Sequence, residues 1–171
     1  MKYNEFVNEK LRELQAENPD LVFYGQNIDT GSCLGGLTKG IKGLNMPNIE
    51  NTLCGFGMGL MLGGTSSFYC VKQLDFLFLG MDHLINTWNT LKTMDLKASF
   101  TILTIIVDEP KQGPQSSFIR FEDFCRLLDL EPITLNFRED AEELKGKGFR
   151  VIGIRSSFMK KETFGRESLI S

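Results

Sequence analysis

Hydrophobic positions along this chain switch between helical spacing and short continuous runs. Phe6, Leu11 and Leu14 lie close to helical spacing among charged residues, so we predict an opening amphipathic helix that ends before Pro19. The run LVFYG that follows has the length and composition of a short buried strand. Residues 25–49 then carry six glycines and little periodicity, which predicts a long surface loop. Loops of this length inside a compact domain are usually functional or disordered.

The remaining apolar segments predict a regular alternation of helices and strands. The predicted strands are SFYCV, FTILTIIV, PITLN and RVIGI, and the predicted helices cover 50–64, 78–92, 121–130 and 140–148. The second of these helices has one apolar face, formed by Met81, Leu84, Ile85 and Trp88. FTILTIIV is apolar enough to be buried on both sides, which is typical of a parallel sheet. The chain therefore predicts an α/β fold, a mainly parallel sheet with helices on both faces.

Length and composition limit the possible classes of protein. A chain of 171 residues fits one domain, which we place at 1–155, followed by a polar, loosely held tail at 156–171. The net charge of −3 offers no basic surface for nucleic acid, and no apolar run reaches the roughly 18 residues that a membrane helix needs. The charged, amphipathic N-terminal segment does not have the pattern of a secretory signal.

The cysteine and histidine content argues against a zinc site. Four cysteines form no C-x-x-C pair, and the chain has one histidine. Reduced thiols in a cytoplasmic protein explain the four cysteines more simply.

Two glycine-rich motifs approach the patterns of phosphate-binding loops without matching them. In GSCLGGLTKG, Gly31 and Gly36 have the spacing of a P-loop, but Leu37 stands where the lysine should follow. In GFGMGL the third glycine is misplaced for a dinucleotide fingerprint, and no strand precedes the motif. We therefore assign no phosphate-binding role to either motif.

The segment from Glu50 to Gly64 is unusually rich in glycine for a helix. Gly55, Gly59 and Gly63 recur every four residues and so share one face, although each glycine costs about 1 kcal/mol relative to alanine. A face without side chains lets another helix or a ligand approach the backbone. Spacing alone does not decide between a tight contact inside this domain and a contact with another molecule. Likewise, Glu50 fits both a carboxylate that stabilises a helix N-terminus and a functional group.

These residues resemble a known family. NIENTLCGFGMGLMLGG looks like the segment of transketolase-type thiamine-diphosphate enzymes in which a glutamate precedes a helix of small residues. LDFLFLGMDHLIN resembles the matching region of 2-oxo acid dehydrogenase β subunits and deoxyxylulose-phosphate synthases, where an aromatic residue precedes a D-Q-I/V-x-N-like helix. LVFYGQNIDTGSCLGGLTKG is similar to their first strand and loop. The resemblance runs from about residue 3 to 155 and covers their pyrimidine-binding domain.

The resemblance implies a role for Glu50 and Phe76, and the loop after the first strand adds two further candidates. In this family the glutamate, here Glu50, bonds the aminopyrimidine ring of thiamine diphosphate and so promotes loss of the thiazolium proton. A carboxylate in apolar surroundings can share a proton near neutral pH. Phe76 matches the aromatic residue that covers the pyrimidine, although an ordinary core phenylalanine would explain it equally. Asn27 and Asp29, in the loop after the first strand, are further candidate cofactor-binding residues because they could reach the substrate side of the site, although loop polarity alone explains them equally well.

Other family motifs are missing, which implies a partner. The G-D-G motif that binds diphosphate and magnesium does not occur here, so the resemblance implies a second, diphosphate-binding subunit that supplies Mg²⁺ binding, in a heterotetramer of two copies of each chain. The loop histidine of dehydrogenase β subunits is replaced by Pro114 or a neighbour. The one histidine, His83, stands where the family has glutamine, and we interpret it as structural.

We therefore expect the pyrimidine-domain subunit of a split, transketolase-like enzyme that cleaves or transfers a carbon unit next to a carbonyl. Its substrate would be a small 2-oxo acid, ketose or aldehyde. One alternative is a subunit of a split 2-oxo acid decarboxylase. Another is a non-catalytic member of the fold that binds or regulates a partner.

Overall fold

Helices and strands alternate along the computed structural model, which describes residues 1–109 and 120–166. The strands are β1 Val22–Gly25, β2 Gly43–Asn45, β3 Ser67–Val71, β4 Phe100–Ile106, β5 Ile133–Leu135 and β6 Phe149–Arg155. The α-helices are α1 Tyr3–Glu17, α2 Glu50–Leu62, α3 Trp88–Leu91, α4 Phe121–Leu127 and α5 Ser156–Met159. Two 3₁₀ helices, Leu74–Gly80 and Arg138–Lys145, and a π-helical turn, His83–Thr87, complete the set within the described ranges.

The six strands form one sheet in the order β2-β1-β3-β4-β6-β5, and every pairing is parallel. β3 and β4, in the middle, are buried along their whole length, as the continuous apolar runs of their sequences require. The predicted α/β fold with a parallel sheet is confirmed.

Helical segments cover both faces of this sheet, as predicted. On one side, here called the α2 face, α2, the Leu74–Gly80 helix and α4 pack over Tyr24, Tyr69, Phe100, Ile102 and Val151. On the other side, the α1 face, α1, the Arg138–Lys145 helix and α5 pack over Phe23, Phe68, Cys70, Leu103 and Ile152. Neighbouring residues of one strand point to opposite faces, so Tyr24 and Phe23 belong to different cores.

The segment 25–49 is not the open surface loop that its glycines suggested. It contains the edge strand β2, and its side chains Ile28, Leu37 and Ile41 are buried in the core of the α1 face. The reason is that glycines with positive φ, such as Gly36 and Gly40, allow a succession of tight turns that fold apolar side chains inward.

The predicted helix 78–92 is divided into three helical types. It starts earlier, as the 3₁₀ helix Leu74–Gly80, passes through the π-helical turn and ends as α3. Its predicted apolar face is confirmed, because Leu84 is fully buried and the other three residues of that face pack against the same core. The predicted helix 140–148 is a 3₁₀ helix that starts at Arg138.

The beginning of the predicted loose tail is packed instead. Met159 is buried in the α1 face, and the Ser156 and Ser157 hydroxyls donate hydrogen bonds to the carboxylate of Asp108, just beyond β4, at 3.0 and 2.7 Å. Further on, Lys2 and Glu162 form a β-bridge. The described part of this segment, up to Arg166, is therefore held to both the sheet and the start of the chain.

The order of the strands changes direction between β1 and β3. The chain leaves β1 toward β2 on one side, whereas it leaves β3 toward β4 on the other. In open α/β sheets, ligands bind at such a divergence, outside the carboxyl ends of the strands. The site is therefore sought among residues that follow β1, β2 and β3.

Candidate functional site

Glu50 is the first residue of α2, just past the carboxyl end of β2. Its side chain is 5% exposed, although exposed residues surround it in sequence. Within residues 1–109 and 120–166, its carboxylate neither accepts a hydrogen bond nor forms an ion pair. The positive end of the helix dipole favours a carboxylate at this position. Its oxygens keep some contact with solvent, so the carboxylate is open to a hydrogen-bond donor from a ligand.

The surroundings of Glu50 include a thiol and a phenol that sequence analysis did not identify. Burial, with a contribution from the negative charge of Glu50, raises the pKa of the Cys54 thiol to about 12. Burial likewise raises the pKa of Tyr69, and Cys54 and Glu50 add to the effect. Tyr69 stacks on Tyr24 with ring centroids 5.2 Å apart. Both neighbours remain neutral at physiological pH, so neither supplies a positive charge to Glu50.

The sequence held a signal for each of these neighbours. Cys54 lies four residues after Glu50 and therefore on the same helix face. Tyr69 alternates with Phe68 and Cys70 along β3, so it points to the opposite face from them. What the sequence did not show is which of the two faces α2 covers.

Phe76 lies on the 3₁₀ helix that packs against the start of α2. A side chain added at Gly80, at the end of that 3₁₀ helix, would come within 2.3 Å of the Cys54 sulfur and 3.2 Å of the Glu50 carbonyl oxygen. Only glycine permits this approach. Phe76 itself is half-buried against the core of the α2 face. Glu50 and Phe76 thus sit on two segments in direct contact.

Asn27 and Asp29 follow β1 at the same edge of the sheet, and both are exposed. Asn27 has a positive φ of 59°, as in a tight turn. The Asp29 carboxylate accepts a hydrogen bond from the side-chain amide of Asn45, whose oxygen in turn accepts one from the Ile28 N–H at 2.8 Å. These bonds tie the loop to the end of β2. In the described part of the chain, no hydrogen bond or ring contact joins Asn27 or Asp29 to Glu50 or Phe76.

The glycines of α2 have three different environments. A side chain at Gly57 would meet the Phe100 ring at 2.2 Å and the Tyr24 hydroxyl at 2.4 Å, so this glycine permits tight contact with the sheet. One at Gly55 would meet the imidazole of His83 at 2.7 Å. A side chain at Gly59 would meet nothing within 4 Å. Tight packing inside the domain therefore explains the glycines at positions 55 and 57, but it does not explain the glycine at position 59.

His83 fills the space that Gly55 leaves open. Its Nδ1 lies 2.9 Å from the Thr87 hydroxyl, one turn along the π-helical segment. These contacts are those of a packing residue, in line with the structural interpretation of His83. Pro114, which replaces the loop histidine of the family, lies outside the described residues.

Within residues 1–109 and 120–166, no cluster of three or more histidine, cysteine, aspartate or glutamate side chains could hold a metal ion. Among the described helices, none is long and apolar enough to cross a membrane.

Comparisons with known proteins support the fold. No protein-family model matches the chain, and no curated protein sequence matches it either. Among solved structures, the chain is similar to a split-gene transketolase, in the form of an inactive β4 tetramer, with a TM-score of 0.62 and 18% sequence identity. The match covers 94% of this chain and 53% of that one, so the chain spans about half the length of its structural relative. At this identity, the match establishes a transketolase-like fold.

Proposed function

We propose that this chain is the pyrimidine-domain subunit of a split, transketolase-like enzyme that depends on thiamine diphosphate. The reaction would cleave or transfer a carbon unit next to the carbonyl of a small 2-oxo acid, ketose or aldehyde. A separate subunit would bind the diphosphate and Mg²⁺, and two copies of each chain would form a heterotetramer in the cytoplasm. The four free cysteines are compatible with a reducing compartment.

The observation that carries this proposal is the buried carboxylate of Glu50. It has no hydrogen-bond donor within residues 1–109 and 120–166, yet it lies at the sheet edge where α/β proteins bind ligands. A protonated ring nitrogen would satisfy this acceptor. The aminopyrimidine of thiamine diphosphate offers such a nitrogen, so the residue fits the cofactor.

Each side chain of the site has a role in this proposal. Glu50 would hold a proton on the pyrimidine ring nitrogen, and Phe76 would cover the face of the ring. Tyr69 and Cys54, neutral and buried, would exclude water around the carboxylate. When bound, the cofactor supplies the electron sink for breaking the bond next to the carbonyl. Asn27 and Asp29 would border the substrate from the loop after β1.

The outer face of α2 is the surface we assign to the partner. Gly59, Leu62 and Gly63 are exposed there, and Leu62 is 57% exposed. No charged residue lies on α2 after Glu50. An uncharged helix face without bulky side chains lets a second backbone approach closely.

The test combines this chain with a chain carrying the diphosphate motif, such as the product of a neighbouring gene, together with Mg²⁺ and thiamine diphosphate. Calorimetry measures cofactor binding, and NMR follows exchange of the thiazolium proton with deuterium. In the assembled complex, we expect Glu50→Gln to slow this exchange at least 100-fold, because the glutamine amide cannot take up the proton. Glu131→Gln, an exposed carboxylate far along the chain, is the control and should exchange at the wild-type rate.

Two results would contradict different parts of the proposal. Wild-type exchange in the Glu50→Gln complex would show that Glu50 does not activate the cofactor. Tight binding of thiamine diphosphate to this chain alone would show that the site is not divided between two subunits.

A further inference from the structure

A cavity of about 240 Å³ opens at the carboxyl edge of the sheet on the α1 face. It lies on the opposite side of the sheet from Glu50, which belongs to the α2 face. Its volume equals about eight water molecules at ~30 Å³ each, which suits a molecule of a few carbon atoms. The proposed function does not use this cavity.

The apolar part of the cavity comes from three separate segments. Ile105 and Val107 come from the end of β4, Met159 from α5 and Leu34 from the turns after β1. All four side chains are at most 9% exposed. Because these residues belong to the buried core, the cavity has an apolar floor that does not need a ligand to form it.

A network of hydrogen bonds fixes one wall of the cavity. The Asp108 carboxylate accepts bonds from the Ser156 hydroxyl at 3.0 Å and from the backbone N–H of Ser157 at 2.9 Å. The Asp108 N–H donates to the Ser156 hydroxyl at 3.2 Å. The ends of β4 and β6 are thereby joined next to Glu109 and Lys160, both of which line the cavity. The wall is therefore held in place before any ligand binds.

The rim of the cavity carries a positive charge. Lys72, directly after β3, and Lys160, directly after α5, line it together with one carboxylate, that of Glu109. Neither lysine forms an ion pair within the described ranges 1–109 and 120–166. Two ammonium groups and one carboxylate line the rim, and the second nearby carboxylate, that of Asp108, is engaged by Ser156 and Ser157. Gln73 and Ser32 add uncharged hydrogen-bonding groups at the rim.

We propose that this cavity binds a small organic anion. The carboxylate or phosphate of the ligand contacts Lys72 and Lys160 at the rim, and a short apolar tail lies on the floor formed by Ile105, Val107 and Met159. The combination of a few polar groups with an apolar floor is typical of small-molecule sites. The proposal stands on these residues alone and does not depend on the role assigned to Glu50.

The test uses the full chain labelled with ¹⁵N and titrated with small anions. Butyrate and propyl phosphate carry the same propyl group on different charged heads, and acetate has the carboxylate of butyrate without the longer tail. We expect chemical-shift changes that saturate at Lys72, Gln73, Val107 and Lys160. Butyrate should bind about tenfold more tightly than acetate, because two more methylene groups are buried. The ratio of the dissociation constants of butyrate and propyl phosphate shows whether the site prefers a carboxylate or a phosphate.

Substitutions that remove one charge test whether Lys72 and Lys160 contact the charged group of the anion. Lys72→Gln and Lys160→Gln should each weaken binding of the preferred anion about threefold, whereas Glu109→Gln should strengthen it by a similar factor. Lys97→Gln is the control, since this exposed lysine lies at the opposite, amino edge of the sheet and should bind as the wild type does. Equal binding by all four variants, or shift changes spread over surface lysines, would overturn the proposal.

Discussion

The imidazole of His83 occupies the space that a side chain at Gly55 would need. A Cβ on Gly55 would lie 2.7 Å from Nε2 and 3.0 Å from both adjacent ring carbons, well inside van der Waals contact. The Nδ1 of the same ring is held 2.9 Å from the Thr87 hydroxyl, so the ring cannot move aside without losing that bond. The glycine at position 55 and the histidine at position 83 therefore depend on each other.

This dependence is measurable as a coupling energy. We expect Gly55→Ala to lower the free energy of unfolding by about 1–2 kcal/mol, because overpacking outweighs the better helix propensity of alanine. In a His83→Ala background, the same substitution should instead raise it by up to about 1 kcal/mol. Urea unfolding of the four proteins gives the coupling. An equal effect of Gly55→Ala in both backgrounds would show that the ring does not restrict position 55.

For Gly59, one turn further along α2, we expect substitution by alanine to raise the stability of the fold. Nothing lies within 4 Å of a Cβ at Gly59. In this chain alone, Gly59→Ala should therefore stabilise the fold by about 1 kcal/mol, since alanine is the better helix former. If the exposed face of α2 is the contact with the proposed partner, the same variant should weaken that association, which calorimetry measures. A loss of stability in the isolated chain would mean that position 59 is not free.

Buried thiols predict a loss of stability in alkali. Burial raises the pKa of Cys54, Cys70 and Cys125 from 9.0 to about 12, and Glu50 and Glu122 contribute for the first and third. The folded state thus keeps these protons to higher pH than the unfolded chain does. The contribution is complete below about pH 9 and is lost as the pH rises toward 12, at about 1.4 kcal/mol per pH unit for each thiol.

The variant Cys70→Ala isolates one of these thiols. Urea unfolding between pH 9 and 10.5, with a reductant present, should show a shallower fall in the free energy of unfolding than in the wild type. The slope, and not the absolute stability, is compared, because loss of the sulfur also leaves a small void. Parallel slopes for the two proteins would rule out titration of Cys70 in this range.

Asp108 predicts a pH effect at the acid end. Burial acts to raise its pKa, but hydrogen bonds from Ser157 and Ser156 outweigh burial and lower the pKa below its ordinary value. The carboxylate therefore stabilises the fold above about pH 4, and this contribution is lost as the pH falls through that value. Asp108→Asn should cost about 1 kcal/mol at pH 7.

The pH dependence of the difference in unfolding free energy between the wild type and Asp108→Asn tests the role of Asp108. Below pH 4, the stabilities of the wild type and Asp108→Asn should converge, as measured by urea unfolding. Ser157→Ala removes one donor, and its effect should be smaller than that of Asp108→Asn but converge in the same range. A difference that is constant with pH would show that folding does not lower the pKa of Asp108.

The main elements of the fold follow from sequence patterns because the patterns reflect burial. FTILTIIV forms β4, buried on both faces, and the spacing of Leu11 and Leu14 places them in the core under α1. Residues 25–49 differ from the surface loop that their glycine content predicts. Gly36 and Gly40 instead permit the turns that bury Leu37 and Ile41.

The site was less accessible to sequence analysis than the fold. The position of Glu50 at the start of a helix followed from its sequence context, but the nearness of Tyr69 from β3 and the close approach of Gly80 to α2 did not. Those contacts join segments far apart in the chain, which periodicity cannot bring together. Asp29 shows the same limit, since its hydrogen bond to Asn45 becomes visible only once β1 and β2 are paired.

The strand order also has a consequence for biosynthesis. Among the strands within residues 1–109 and 120–166, β6 is made last but lies between β4 and β5, so β5 pairs with its neighbour only after residues 149–155 have left the ribosome. Until then, the apolar edge of β4 is available to other nascent chains. A chain truncated before Phe149 would therefore expose an unpaired, apolar strand edge that favours aggregation.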